Sequence, residues 1–172
     1  MLPLSQSHLT LLDTCPRKYQ YVFFDALSAP TSYEQHIQAQ WGSQFHMLMQ
    51  QQALSLPAMR VATADAEMAA SLQAMVQAAP DVFAHLPAPE EIAPQNSTTT
   101  FSQSEHRRTL EFNGYLLTVV YDLLVLKTEN NVQTGQLFDW KTHQQPPKRE
   151  WLQTDWQTRL YQYVLKETTD LL

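Results

Sequence analysis

The sequence predicts a mixed α/β fold, a central and mostly antiparallel sheet flanked by helices, and three observations carry that reading. Apolar residues recur at helical spacing through residues 33–54, in Ile37, Trp41, Phe45, Leu48 and Met49. The period then changes, because "YLLTVVYDLLVL", residues 115–126, is apolar on both faces as a buried central strand must be. A second helical pattern, Trp156, Leu160, Tyr163 and Val164, closes the chain between residue 151 and about residue 166.

The remaining elements follow in order. Ser5 can cap a helix carrying Leu9 and Leu12. In "CPRKYQYVFF", Pro16 stands where the first turn of a second helix tolerates it. The helix over 33–54 is interrupted only by Gly42, and the alanine-rich residues 62–79 form another, stopped by Pro80. "LPAPEEIAPQNSTTT" has three prolines and no period, which makes it a surface connection. "TTTFSQSEHRRTLEF" reads as a strand, "TENNVQT" as the turn after the central strand, and "GQLFDWKTH" as the strand that returns. The expectation is one domain over 1–172, helical to about residue 86, with the sheet and closing helix from about 98 to 168.

Composition narrows the function. The chain has 172 residues, 44% of them hydrophobic, and no run of eighteen apolar residues, so it is expected to be soluble with no membrane partner. Its start, "MLPLSQSHL", lacks the basic and long apolar regions of a signal peptide, so a cytoplasmic location is expected. The single cysteine, Cys15, can neither close an internal disulfide nor by itself hold zinc or an iron–sulfur cluster. A net charge of −6 argues against a protein that coats nucleic acid by bulk electrostatics. It is compatible with a nuclease whose acidic groups are metal ligands.

The carboxylates of the paired strands are the informative residues. In a strand, Asp139 and Lys141 share a side with Leu137, while Phe138 and Trp140 take the other. A hairpin symmetric about Asn130 and Asn131 places Asp122 opposite Asp139, with β-carbons roughly 5 Å apart, where like charges repel. Asp122 also shares its face with Val120 and Leu124, which keeps water away from it. Two carboxylates and a lysine at one apolar site call for a divalent cation, since Mg²⁺ is held by one or two carboxylates and leaves positions for phosphate oxygens. Lys141 would orient or help deprotonate the attacking water and offset charge on the phosphate. Taken alone, an Asp-x-Lys is more often a surface ion pair.

The ordered set Gly42-x-x-x-His46, Asp122, Asp139-x-Lys141 and Gln157-x-x-x-Tyr161 resembles the PD-(D/E)XK nuclease superfamily, in particular its RecB-type branch. The opening "LSQSHLTLLDTCPRKYQYVFF" is similar to that branch's N-terminal segment, so the resemblance spans about residues 5–164. It implies a restriction-endonuclease-like core with a helical N-terminal part. It further implies a Mg²⁺- or Mn²⁺-dependent deoxyribonuclease acting in DNA repair or recombination, favouring single-stranded DNA or DNA ends, with a helicase or repair complex as partner. Asp122, Asp139 and His46 would hold the metal, together with the Trp140 carbonyl. Lys141, Asp139 and Asp122 would be catalytic, Gln157 and Tyr161 would brace the site or contact substrate, and Glu105 is a secondary acidic candidate.

Two departures stand out. Val119 occupies a position where the family often has glycine, three residues before the first aspartate. Some branch members bind a four-cysteine iron–sulfur cluster beginning at a segment like Cys15-Pro16; the other three cysteines are absent up to Leu172, so no cluster is expected. Without the other motifs, His46 reads as an ordinary half-buried histidine, and Gln157 and Tyr161 as helix packing. Arg17, Lys18, Lys148 and Arg149 read as solvated charges. The alternatives to a nuclease are a nuclease-like module that binds DNA without cutting it, and a protein-interaction module that keeps only the fold.

Overall fold

A computed structural model of the chain describes residues 2–54, 65–80, 100–129, 132–142 and 148–169. In chain order its elements are β1 (Leu2–Leu4), α1 (Gln6–Thr14), α2 (Pro16–Tyr19), α3 (Tyr33–Ala53), α4 (Ala66–Ala78), β2 (Thr100–Phe112), β3 (Tyr115–Glu129), β4 (Val132–Phe138), α5 (Arg149–Thr154) and α6 (Trp156–Glu167). A single π-helical turn, Gln20–Phe24, continues α2. The architecture is a mixed α/β fold whose four-stranded, mostly antiparallel sheet is flanked by helices.

β3 organises the sheet, pairing with β1, β2 and β4. Its six successive buried residues, from Tyr121 to Leu126, are what a strand covered on both faces requires. β2 and β3 are joined by Asn113 and Gly114, both left-handed with φ of 49° and 81°, the backbone of a two-residue hairpin turn. β4 returns antiparallel to β3 with Leu123 opposite Phe138 and Glu129 opposite Val132, the predicted register. β1 pairs parallel with β3 through Leu4 and Leu117, a strand too short to announce itself by periodicity.

The chain forms two compact units. One comprises Met1–Ser32, Arg107–Tyr121 and His143–Leu172; the other comprises Tyr33–His106 and Asp122–Thr142. In the first, Ser5 begins α1 as expected, and its N–H donates to Nδ1 of His8, three residues on, where a capping box usually has a glutamate or glutamine. Pro16 starts α2. The closing helix expected over 151–166 is broken at Asp155, whose Oδ2 accepts from the N–H groups of Gln157 and Thr158. Asp155 thus ends α5 and caps α6, because an aspartate carboxylate satisfies the orphan donors of a new first turn. α6 buries Leu160, Tyr161, Val164 and Leu165.

In the second unit, α3 runs unbroken through Gly42 and buries Phe45, Leu48 and Met49, while Ile37 near its start stays exposed. α4 begins at Asp65, whose Oδ1 accepts from the N–H groups of Glu67 and Met68, and it ends before Pro80 as expected. Phe45, Leu48, Met49, Met68, Leu123, Val125 and Trp140 form one buried cluster, with Trp41 and Phe138 packed against it. Trp140 and Phe138 therefore face the core, as the alternation of the returning strand predicts. The predicted connection at 86–100 and the turn at Asn130 and Asn131 lie, apart from Thr100, outside the described residues.

Candidate active site

Three elements of the second unit bring three chemically active side chains together. His46 sits on α3 beside the buried stripe, Asp122 lies in the buried run of β3, and Glu105 belongs to β2. One ligand atom from each lies within 4.8 Å of the other two. Asp122, only 9% exposed, divides its oxygens between two partners. Oδ2 accepts the Trp140 backbone N–H at 2.6 Å, and Oδ1 lies 3.4 Å from Nδ1 of His46. A buried carboxylate needs such partners, since an unpaired one would pay its full desolvation cost.

Glu105 reaches the group by an unusual backbone. Its φ is 50°, in the left-handed region that residues other than glycine, asparagine and aspartate avoid. Holding it there costs about 1–3 kcal/mol, strain of the kind that collects at functional sites. The charges respond to one another. His46 is held above its ordinary pKa, chiefly by its hydrogen bond to Asp122, against burial, with the negative charges of Asp122, Glu105 and Asp139 adding to the effect. Glu105 is pushed above the usual carboxylate range by burial first and then by Asp122, while His46 pulls it down.

Asp139 and Lys141 lie just past the end of β4, where the strand's ladder has stopped. The Lys141 Nζ is 2.6 Å from Oδ2 of Asp139, and both side chains are partly exposed. Asp139 is close enough for its charge to act on His46. On α6, in the first unit, Gln157 donates its backbone N–H to Asp155, and Tyr161 is buried. Its ring stands edge-on to Tyr121 at 5.2 Å, and the Tyr121 hydroxyl donates to the Tyr161 carbonyl at 3.0 Å. Burial raises the Tyr121 pKa far above its ordinary value.

The donor set suits a hard divalent cation. In an octahedral site with ligands about 2.1 Å from the ion, neighbouring donors are about 3 Å apart and opposite ones about 4.2 Å. A spread within 4.8 Å needs only a small movement to match, and Glu105, the most exposed of the three residues though its carboxyl is partly desolvated, is able to make it. Two carboxylates with one imidazole suit a divalent cation rather than the soft metals that seek thiolates. The sequence reading ranked Glu105 second, and it had no signal for the Trp140 N–H as the donor that orients Asp122.

Comparison with curated proteins and comparison with solved structures each returned no match. A family model does match, that of the PD-(D/E)XK nuclease superfamily, and it covers residues 3–172. With that span and the acidic cluster built on β2, β3 and α3, the chain belongs to the PD-(D/E)XK nuclease superfamily.

Proposed function

We propose that this protein is a Mg²⁺- or Mn²⁺-dependent deoxyribonuclease of the RecB-type branch, working in the cytoplasm in DNA repair or recombination. The observation that carries the reading is the convergence of His46, Glu105 and Asp122 next to the Asp139–Lys141 pair. His46, Asp122 and Asp139 would hold the metal, with Glu105 as a further ligand. When bound, a divalent cation supplies neutralisation of the phosphate charge and a lowered pKa for the attacking water.

The chain's own residues do the rest. Asp122, fixed by the Trp140 N–H, presents one oxygen in a defined direction. Lys141 would offset charge developing on the phosphate and orient or help deprotonate the attacking water. Asp139 holds that ammonium in place at 2.6 Å. Gln157 and Tyr161, one helical turn apart, would contact the substrate backbone or brace the site. Single-stranded DNA or DNA ends are the favoured substrates, and a helicase or repair complex is the partner. Among the described residues no helix is long and apolar enough to cross a membrane.

A cleavage assay on end-labelled single- and double-stranded DNA, with Mg²⁺, with Mn²⁺ and with chelator, tests this reading. Metal-dependent cleavage that is lost on chelation supports it. DNA binding without turnover in either metal would replace it with a non-cleaving DNA-binding module.

A further inference from the structure

Gly42 is poorly placed by local propensity. It stands inside the 21-residue helix α3, where glycine is less favourable than alanine because it loses more backbone freedom on folding. The reason for it lies across the unit. A β-carbon added at Gly42 would come within 3.2 Å of the Thr142 hydroxyl oxygen, closer than ordinary van der Waals contact. The Thr142 side chain therefore approaches α3 closely at Gly42.

That segment carries Lys141. β4 ends at Phe138, and the described residues 139–142 that follow are not part of a strand. Trp140 anchors it on one side, through its buried ring and through its N–H to Asp122. Thr142 is the next contact, against Gly42, and Lys141 lies between the two. Gly42 and His46 are one helical turn apart and share a face of α3. The same face of one helix thus carries the imidazole of the acidic cluster and the seat of the lysine segment.

We propose that Gly42 is a positioning residue for Lys141: its bare backbone seats Thr142 and so fixes the lysine relative to His46 and Asp122. The inference rests on the nuclease reading for its consequence in catalysis, but its geometric content is independent of that reading. A β-carbon at residue 42 makes the Thr142 hydroxyl give by a few tenths of an ångström, and on this proposal the segment shifts with it and takes Lys141 along.

The test uses Gly42→Ala, Thr142→Ala and the double variant in the full chain. Metal-free amide NMR spectra read the packing, Mn²⁺-induced thermal shifts read the metal site, and single-turnover cleavage reads the chemistry. Gly42→Ala is expected to shift the amides of Trp140, Lys141 and Thr142, to lower the cleavage rate about tenfold as a small misplacement of a catalytic group does, and to leave DNA affinity and the Mn²⁺ shift intact. Removing the Thr142 hydroxyl in the double variant should restore both the amide positions and the rate. Unshifted amides with a wild-type rate, or a double variant as impaired as Gly42→Ala alone, would overturn the proposal. Should the wild-type chain not cleave DNA, the nuclease reading fails, and the amide shifts with their restoration still decide whether Gly42 seats Thr142.

Discussion

Nδ1 of His46 lies 3.4 Å from Oδ1 of Asp122, and that contact sets how the protein should respond to pH. The folded chain holds the His46 proton more tightly than the unfolded chain does, because Asp122 accepts it. A raised folded pKa contributes stability that is fully present below the unfolded value of 6.5 and is lost as pH rises through the folded value. A metal ligand must be deprotonated, so cation binding moves the opposite way. Thermal melts across neutral pH should show the metal-free protein losing stability as pH rises while the gain from millimolar Mn²⁺ grows. At about a hundredfold excess over its dissociation constant, a cation binding only the native state adds about 2.7 kcal/mol. A His46→Ala variant with the same pH slope and the same Mn²⁺ gain as the wild type would remove His46 from the site.

Glu105 gives a second prediction of the same sign. Its carboxyl is raised mainly by burial, so ionising it in the metal-free protein works against the fold, and its contribution also declines as pH rises through the folded value. Glu105→Gln removes that charge while keeping the side chain's length. The variant should melt higher than the wild type without metal, gain less from Mn²⁺, and cleave DNA more slowly. A variant that melts no higher in chelator yet keeps its full Mn²⁺ gain would show that Glu105 neither strains the apo site nor binds the cation.

Lys141 and Trp140 adjoin in sequence yet should fail differently. Lys141→Ala is expected to abolish cleavage while leaving DNA and metal binding largely intact, since in the proposed mechanism the lysine acts on the transition state. The Asp139–Lys141 pair is partly exposed, so its loss should change stability little. Trp140→Ala empties a large site in the core cluster and should cost about 3–5 kcal/mol. It also disturbs the backbone whose N–H orients Asp122. Denaturant unfolding and cleavage assays on both variants separate the two effects. Residual turnover at the wild-type rate in Lys141→Ala would deny the lysine its catalytic role.

What the sequence made legible follows the strength of each local signal. The long apolar run at 115–126 announced β3, and the symmetry about Asn130 and Asn131 gave the register observed between β3 and β4. Helical spacing identified α3, and Ser5 and Pro16 marked the starts of α1 and α2. Other features depend on contacts between distant residues. Three-residue β1 exists only because β3 offers it an edge. Gly42 reads as a helix interruption until Thr142 is seen against it. Glu105 joins the acidic cluster from a left-handed backbone that no alternation pattern predicts. Two signals present in the sequence went unread: Asn113-Gly114 as a hairpin turn, and Asp155 as the cap that divides the closing helix.

Tyr161 and Tyr121 offer the last prediction, because their rings touch edge to face. The Tyr121 hydroxyl donates to the Tyr161 carbonyl inside the first unit. Tyr121→Phe should therefore cost about 0.5–1.5 kcal/mol, the net worth of one internal hydrogen bond, with cleavage little changed. Tyr161→Phe keeps the buried ring and its contact with Tyr121, so stability should be nearly unchanged. If the Tyr161 hydroxyl serves the active site as proposed, cleavage should fall in that variant while its unfolding midpoint stays put. Chemical unfolding curves and single-turnover rates for both variants check the contrast. A Tyr161→Phe variant with full activity would assign Gln157 and Tyr161 to helix packing alone.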